Sequence, residues 1–284
     1  MGILKGLEAL GLGKMKDLDI FADEKEDEKK QAEAEQAKAN KVVDESSFLL
    51  DKTCTCPVCD KAFKSKIVKT GKARLEAQDD DLRPWYHDFD ALKYEVIACP
   101  VCGYSSLPRT FDKLTSPQAK LVKENISMSF TGFKEESGGD TYTYDEAIER
   151  CQLAIVNTVV KKGRLGERAY VCLNMAWLIR GKIKNLPLET PDRDKVIAQL
   201  KDDETEMLTN ARDGFIAAFA KEGFPLYSLD EKTSTYIIGA LCAETGDREG
   251  ALRWLSKLIT SQTANERIKD RARMLKEKIN NGEL

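Results

Sequence analysis

Histidine is almost missing from this chain of 284 residues, which has only His87. A single imidazole excludes histidine-rich metal clusters, and it argues against the three-ligand catalytic zinc sites that usually carry histidine. No apolar run approaches the roughly 18 residues that a membrane helix needs. Met1 to Gly13 has small apolar clusters broken by Lys5 and Glu8, too interrupted for a signal-peptide core, and no small-residue cleavage site follows. The expected compartment is therefore the cytoplasm, where thiols stay reduced. Excess charge of one sign is also lacking: 45 basic residues face 48 acidic ones, for a net charge of −3. Nucleic acid or anionic lipid would be attracted only by a local patch. No Gly-rich phosphate loop, nucleophile–histidine pair or other linear catalytic signature is found. With 42% hydrophobic residues, the chain has enough apolar material for a core.

What is present is one tetrapeptide twice. Cys-Pro-Val-Cys stands at Cys56–Cys59 and again at Cys99–Cys102. Two Cys-x-x-Cys turns supply four thiolates, the full shell of a tetrahedral zinc ion, so Cys56, Cys59, Cys99 and Cys102 are the expected ligands of one structural Zn2+. Pro57 and Pro100 fix φ at the first turn residue. The residues after the knuckles, Asp60 and Gly103, are types that tolerate a left-handed backbone. The knuckles stand 39 residues apart (60–98). Closing a loop of that length costs roughly 3 kcal/mol, whereas four-thiolate zinc contributes about 10–16 kcal/mol in small domains.

Other readings of these residues are weaker. A redox Cys-x-x-Cys needs a helix N-terminus to depress a thiol pKa, and neither knuckle opens a helix. The deaminase signature places proline before its Cys-x-x-Cys, where this chain has Thr55 and Ala98. Cys54 is a third nearby thiol, either an alternative to Cys56 or a neighbour outside the shell. Cys151, Cys172 and Cys242 fall in helical, apolar contexts and read as buried small hydrophobes. His87 lies in Leu82-Arg83-Pro84-Trp85-Tyr86-His87-Asp88-Phe89, either a loop packed over the zinc module or a recognition patch built from Arg83, Trp85 and Tyr86. Lys61, Lys64, Lys66, Lys69, Lys72 and Arg74 form a basic run that either contacts phosphates or offsets the negative zinc tetrathiolate, with Glu76 and Asp79-Asp80-Asp81 cancelling much of its field.

Patterning divides the chain into three parts. Residues 1–45 carry a charged helix or tether, 22–41, behind a sparse apolar stripe at Ile3, Leu4, Leu7, Leu10 and Leu12. Residues 46–112 contain the knuckles among short strands at Phe48–Leu50, Ser65–Val68 and Leu92–Ile97, the layout of a zinc ribbon. Residues 113–284 are helical, with a start at Ser116-Pro117, a long loop over 132–142, and helices near 144–161, 166–182, 203–221, 231–245, 247–260 and 264–280. Three helices share one spacing: Ala147, Cys151, Ala154; Ala211, Phe215, Ala218; Ala251, Leu255, Leu258. That face matches the second helix of a tetratricopeptide repeat, and Tyr170, Leu173 and Trp177 fit a first helix. An insertion over 183–203 and Asn174 depart from that pattern. Glu204, Glu206 and Asp213 read as a solvated face. The expected fold class is thus α+β, mostly α: a small zinc-ribbon-like β module followed by a tetratricopeptide-like helical domain.

Five segments together carry a family resemblance: Cys-Pro-Val-Cys-Asp-Lys-Ala-Phe from Cys56, Leu-Arg-Pro from Leu82, Leu-Lys-Tyr from Leu92, Cys-Pro-Val-Cys-Gly-Tyr from Cys99 and Gln-Ala-Lys-Leu from Gln118. Over roughly residues 46–270 the chain resembles the bacterial family known as domain of unknown function 2225. The resemblance implies a cytoplasmic protein with a split zinc module joined to tetratricopeptide-like helices, and it carries Cys56, Cys59, Cys99 and Cys102 over as zinc ligands. The leading functional expectation is a non-enzymatic adaptor that binds a protein or peptide partner on its helical surface. The alternatives are a nucleic-acid-associated protein using the basic segment 61–74 and an enzyme in which zinc is only structural.

Overall fold

The computed structural model describes residues 44–133 and 139–283. The expected tether and apolar stripe of the N-terminal part lie outside these residues, as does the middle of the 132–142 loop. Glu45–Leu284 forms one compact unit. Among the described residues six short strands make three separate antiparallel pairs: β1 (Leu49–Thr55) with β2 (Ala62–Val68), β3 (Leu75–Gln78) with β4 (Pro84–Tyr86), and β5 (Ile97–Ala98) with β6 (Ser105–Ser106). A single turn α1 (Pro108–Phe111) and the short α2 (Ser116–Val122) lead into the long helices. These are α3 (Tyr144–Val160), α4 (Leu165–Lys184), α5 (Arg193–Lys221), α6 (Glu231–Glu244), α7 (Arg248–Ile259) and α8 (Glu266–Asn281). The fold is α+β and mostly α. Among the described residues no helix is long and apolar enough to cross a membrane.

Helix starts follow side-chain chemistry. Thr143 and Glu146 form a reciprocal capping box on α3, and Asp230, Asp247 and Asn265 each accept a backbone N–H in the first turn of α6, α7 and α8. On α2 the cap is Thr115, one residue before the expected Ser116, because the Thr115 N–H donates to Gln118 Oε1 at 3.1 Å. Consecutive long helices pack on one another, and the three matching triplets on α3, α5 and α7 are all buried. Apolar residues on every side explain why α4 and α6 are enclosed between neighbours. α5 starts ten residues earlier than expected, at Arg193. The second half of the stretch read as an insertion is its first turns, from which Val196 and Leu200 meet the core.

The segment Leu92–Ile97 departs from the strand its alternation predicts. Asp90 Oδ1 accepts the Leu92 N–H at 3.1 Å and nucleates a 3-10 turn over Ala91–Tyr94, leaving only Ile97–Ala98 extended. Its apolar side chains divide among three clusters. Leu92 and Val96 enter the helical core, Tyr94 packs with Leu49 and Phe89, and Ile97 joins the cysteines. The strand-bearing part and the helices therefore share one hydrophobic core across position 112.

Candidate metal centre

Each Cys-Pro-Val-Cys forms the turn of a hairpin, the first between β1 and β2 and the second between β5 and β6. The two turns have the same backbone bonding. Cys56 N–H donates to Lys61 O and Asp60 N–H to Cys56 O; Cys99 N–H donates to Tyr104 O and Gly103 N–H to Cys99 O, all at 2.8–3.1 Å. The residue after each knuckle is left-handed, with φ 57° at Asp60 and 73° at Gly103. Gly103 is also sterically required, since a Cβ there would sit 2.7 Å from Phe130 Cγ. Cys56 Sγ also accepts the Val58 N–H at 3.4 Å.

The four sulfurs converge. Cys56 Sγ lies 3.5 Å from Cys102 Sγ and Cys59 Sγ lies 3.7 Å from Cys99 Sγ, with all four within 4.8 Å of one another. A tetrahedron of sulfurs about 2.3 Å from a zinc ion has edges of about 3.8 Å, so the spacing suits such an ion. Cys56, Cys99 and Cys102 are buried, and Phe63, Tyr104 and Phe111 pack around them. Thiol–thiolate hydrogen bonds from Cys102 and Cys56 push the Cys99 pKa down to about 2, while the same kind of bonding drives Cys56 upward. A divalent cation would be the neutralising charge for four thiolates so close together. These four cysteines could hold a metal ion.

The remaining cysteines stay apart. Cys54 is buried opposite Phe63 in the β1–β2 ladder, outside the four-sulfur group, and burial raises its pKa. Burial likewise pushes Cys172 and Cys242 up to about 11, which makes both poor nucleophiles.

A second polar centre lies in the stretch read as a possible recognition patch. Arg83 is fully buried: Nε donates to Trp177 O at 3.0 Å, Nη2 reaches Asp90 Oδ2 at 2.6 Å, and the guanidinium lies 3.4 Å from the Trp85 ring centre. A Cβ on Gly181 would clash with that guanidinium at 2.6 Å, so α4 needs glycine at the crossing. Lys184 Nζ also lies 3.7 Å from the Trp85 ring centre, and Trp85 donates Nε1–H to Asp79 at 2.6 Å. Arg83 and Trp85 are therefore engaged inside the molecule, whereas His87 is exposed.

The acidic run beside it serves structure. Asp80 pairs with Lys278, and the buried Asp81 accepts from Trp177 Nε1 at 2.8 Å. Arg180 lies within 3.0 Å of four carboxylates, those of Asp79, Asp81, Glu204 and Glu244. Glu204 is thus an ion-pair partner of Arg180 and not part of a solvated face; Glu206 and Asp213 are exposed. Burial, and next the charge of Asp81, outweigh Arg180 and push Glu244 up to about 8. Sequence reading missed this network, although three successive acids before Leu-Arg-Pro-Trp are its local trace.

In the basic run, Lys66 pairs with Asp51 at 3.2 Å and Lys69 donates to Ser47 O at 2.8 Å. No curated protein and no solved structure matches the chain. Residues 49–279, which include both knuckles, the Arg83 hairpin and the long helices up to the last turn of α8, match the profile of a family described as uncharacterised proteins conserved in bacteria, domain of unknown function 2225, and to that family the chain belongs.

Proposed function

We propose that the protein is a cytoplasmic, non-enzymatic adaptor whose four cysteines hold one structural zinc and whose helices bind a peptide segment of a partner protein. Four sulfur ligands leave no open coordination position, which suits a structural rather than a catalytic ion. The observation that carries the adaptor reading is an apolar groove of about 480 Å³ between α3, α4 and α5. Ile148, Ile155, Val156, Met175 and Met207 line it, and Asp145, Asp203 and Glu206 stand along its rim with Lys182, which is paired to Asp145. Val156 is 49% exposed. Apolar anchors flanked by lysine or arginine would complement this groove, and methionines let such a wall adapt to its ligand. The tetratricopeptide-like reading of the helices is supported by their consecutive packing and buried triplets. In that register α4 and α6 are first helices; Arg180 of α4, which also pairs with Glu244 of α6, and Lys278 of α8 meet the chain's own hairpin at Asp79 and Asp80. The groove on α3–α5 is therefore the better docking surface.

Selection from a displayed peptide library tests this. Enriched peptides should carry two or three apolar anchors beside basic residues, and Val156→Asp should weaken them about tenfold or more. Peptides that bind the Val156→Asp protein equally well, or no enrichment at all, would contradict the adaptor reading. The nucleic-acid alternative is less favoured because Lys66 and Lys69 are already engaged within the hairpin.

A further inference from the structure

A cleft of about 300 Å³ lies where α1 and the residues after it meet the turn between α3 and α4. Five cationic side chains line it, Arg109, Lys113, Lys161, Lys162 and Arg164, against one carboxylate, Glu167. That carboxylate is already committed. Lys161, only 3% exposed, brings its Nζ to Glu167 Oε1 at 2.7 Å and to Ser106 Oγ at 3.4 Å. Arg164 shares the Glu222 carboxylate at 3.4 Å, and Glu222 is itself occupied by the N–H groups of Leu165 and Gly166 that open α4. Among the described residues Arg109, Lys113 and Lys162 make no ion pair, and no acid in the cleft wall remains to balance them.

Local backbone geometry creates this crowding. Two residues past the end of α3, Lys162 is in the left-handed region, φ 53°, and the Gly163 N–H turns back to Thr158 O at 2.8 Å. The turn presents Lys161, Lys162 and Arg164 to one cleft, facing Arg109 and Lys113. Three uncompensated cations concentrate a positive field in a concave site of a chain whose net charge is −3. A guanidinium fork with ammonium groups beside it suits phosphate oxygens. The volume is at the lower end for small-molecule sites, and a nucleic-acid strand would instead need an extended basic track with stacking platforms.

We propose that this cleft binds a small phosphorylated ligand, its phosphate between Arg109, Lys113 and Lys162 and its remaining atoms against Tyr227. The site shares no residue with the α3–α5 groove and stands independently of the adaptor reading. Calorimetric titration of the full-length protein with inorganic pyrophosphate, in about 0.15 M NaCl, tests it. A single site with a Kd of about 1 mM or tighter is expected. Lys113→Glu, Arg109→Gln and Lys162→Asn should each weaken it about tenfold. All three positions are exposed, and asparagine tolerates the left-handed backbone at 162, so the fold should persist, as an unchanged melting temperature would show. No heat of binding, equal affinity in the three variants, or a single-stranded DNA oligomer that binds and is not displaced by pyrophosphate would each overturn the proposal.

Discussion

The two cysteine hairpins carry the same turn on different foundations. The first, β1–β2, has seven paired positions and packs its open end on Phe89 and Tyr94. Its knuckle end reaches the rest of the molecule mainly through the cysteine cluster and Phe63. The second, β5–β6, has only two paired positions, too few to stand alone. It is instead seated on α3: Asn157 Nδ2 donates to Gly103 O at 2.9 Å and Ser105 Oγ donates to Arg150 O at 3.0 Å. One half of the site is thus seated on a helix, and the other on its own longer ladder and the Phe89–Tyr94 cluster. This division explains how ligands so far apart in sequence can be pre-positioned.

Removing the metal ligands should break the symmetry most. If the cysteines hold the proposed zinc, Cys99→Ser should lose it and much of the apparent stabilisation, about 10–16 kcal/mol in small zinc domains. By hydrogen exchange, amides of Thr53–Phe63 should lose protection by about a hundredfold, with residues 97–106 changing far less. Equal loss in both hairpins would show that α3 does not hold the second one.

Next in size is the pin between the β3–β4 hairpin and the helices. Arg180→Met leaves Asp81, 0% exposed, without its cation and should cost about 3–5 kcal/mol in chemical denaturation. A loss below about 1 kcal/mol would mean that Trp177 and the Arg83 N–H satisfy Asp81 without help. A smaller effect is expected from Asn157→Ala, which strips a buried partner from the Gly103 carbonyl. About 1–3 kcal/mol should be lost, with exchange rising at the second knuckle and not at the first. The opposite localisation would reverse the comparison of the two hairpins.

The last effect concerns pH. Glu244 titrates at about 8 in the folded protein against 4.5 as an ordinary side chain, so the folded state binds its proton more tightly. Its contribution to stability is complete below about pH 4.5 and is lost as pH rises through about 8. Glu244→Gln should therefore flatten the fall in melting temperature across that window. Parallel wild-type and variant profiles would remove Glu244 from the network's pH response.

How much of this was legible depended on range. The knuckles were readable because four residues set each turn, down to the left-handed Asp60 and Gly103. The long helices were readable because burial of one face imposes their period, as the triplets on α3, α5 and α7 show. Leu92–Ile97 misled because alternation that suggests one sheet face also arises when a bent segment feeds three clusters. The Arg180 network left almost no linear signal: Arg180 and Asp79 are 101 positions apart, and Trp177 and Asp81 are 96 apart. The basic cleft was equally hidden, since no stretch of sequence contains more than part of it.

The metal itself is most directly tested by elemental analysis of the intact protein purified under reducing conditions, combined with native thiol labelling. One zinc per chain is expected, with Cys56, Cys59, Cys99 and Cys102 unreactive until a chelator is added. Metal-free, folded protein whose four sulfurs remain clustered without an ion would contradict the proposed centre.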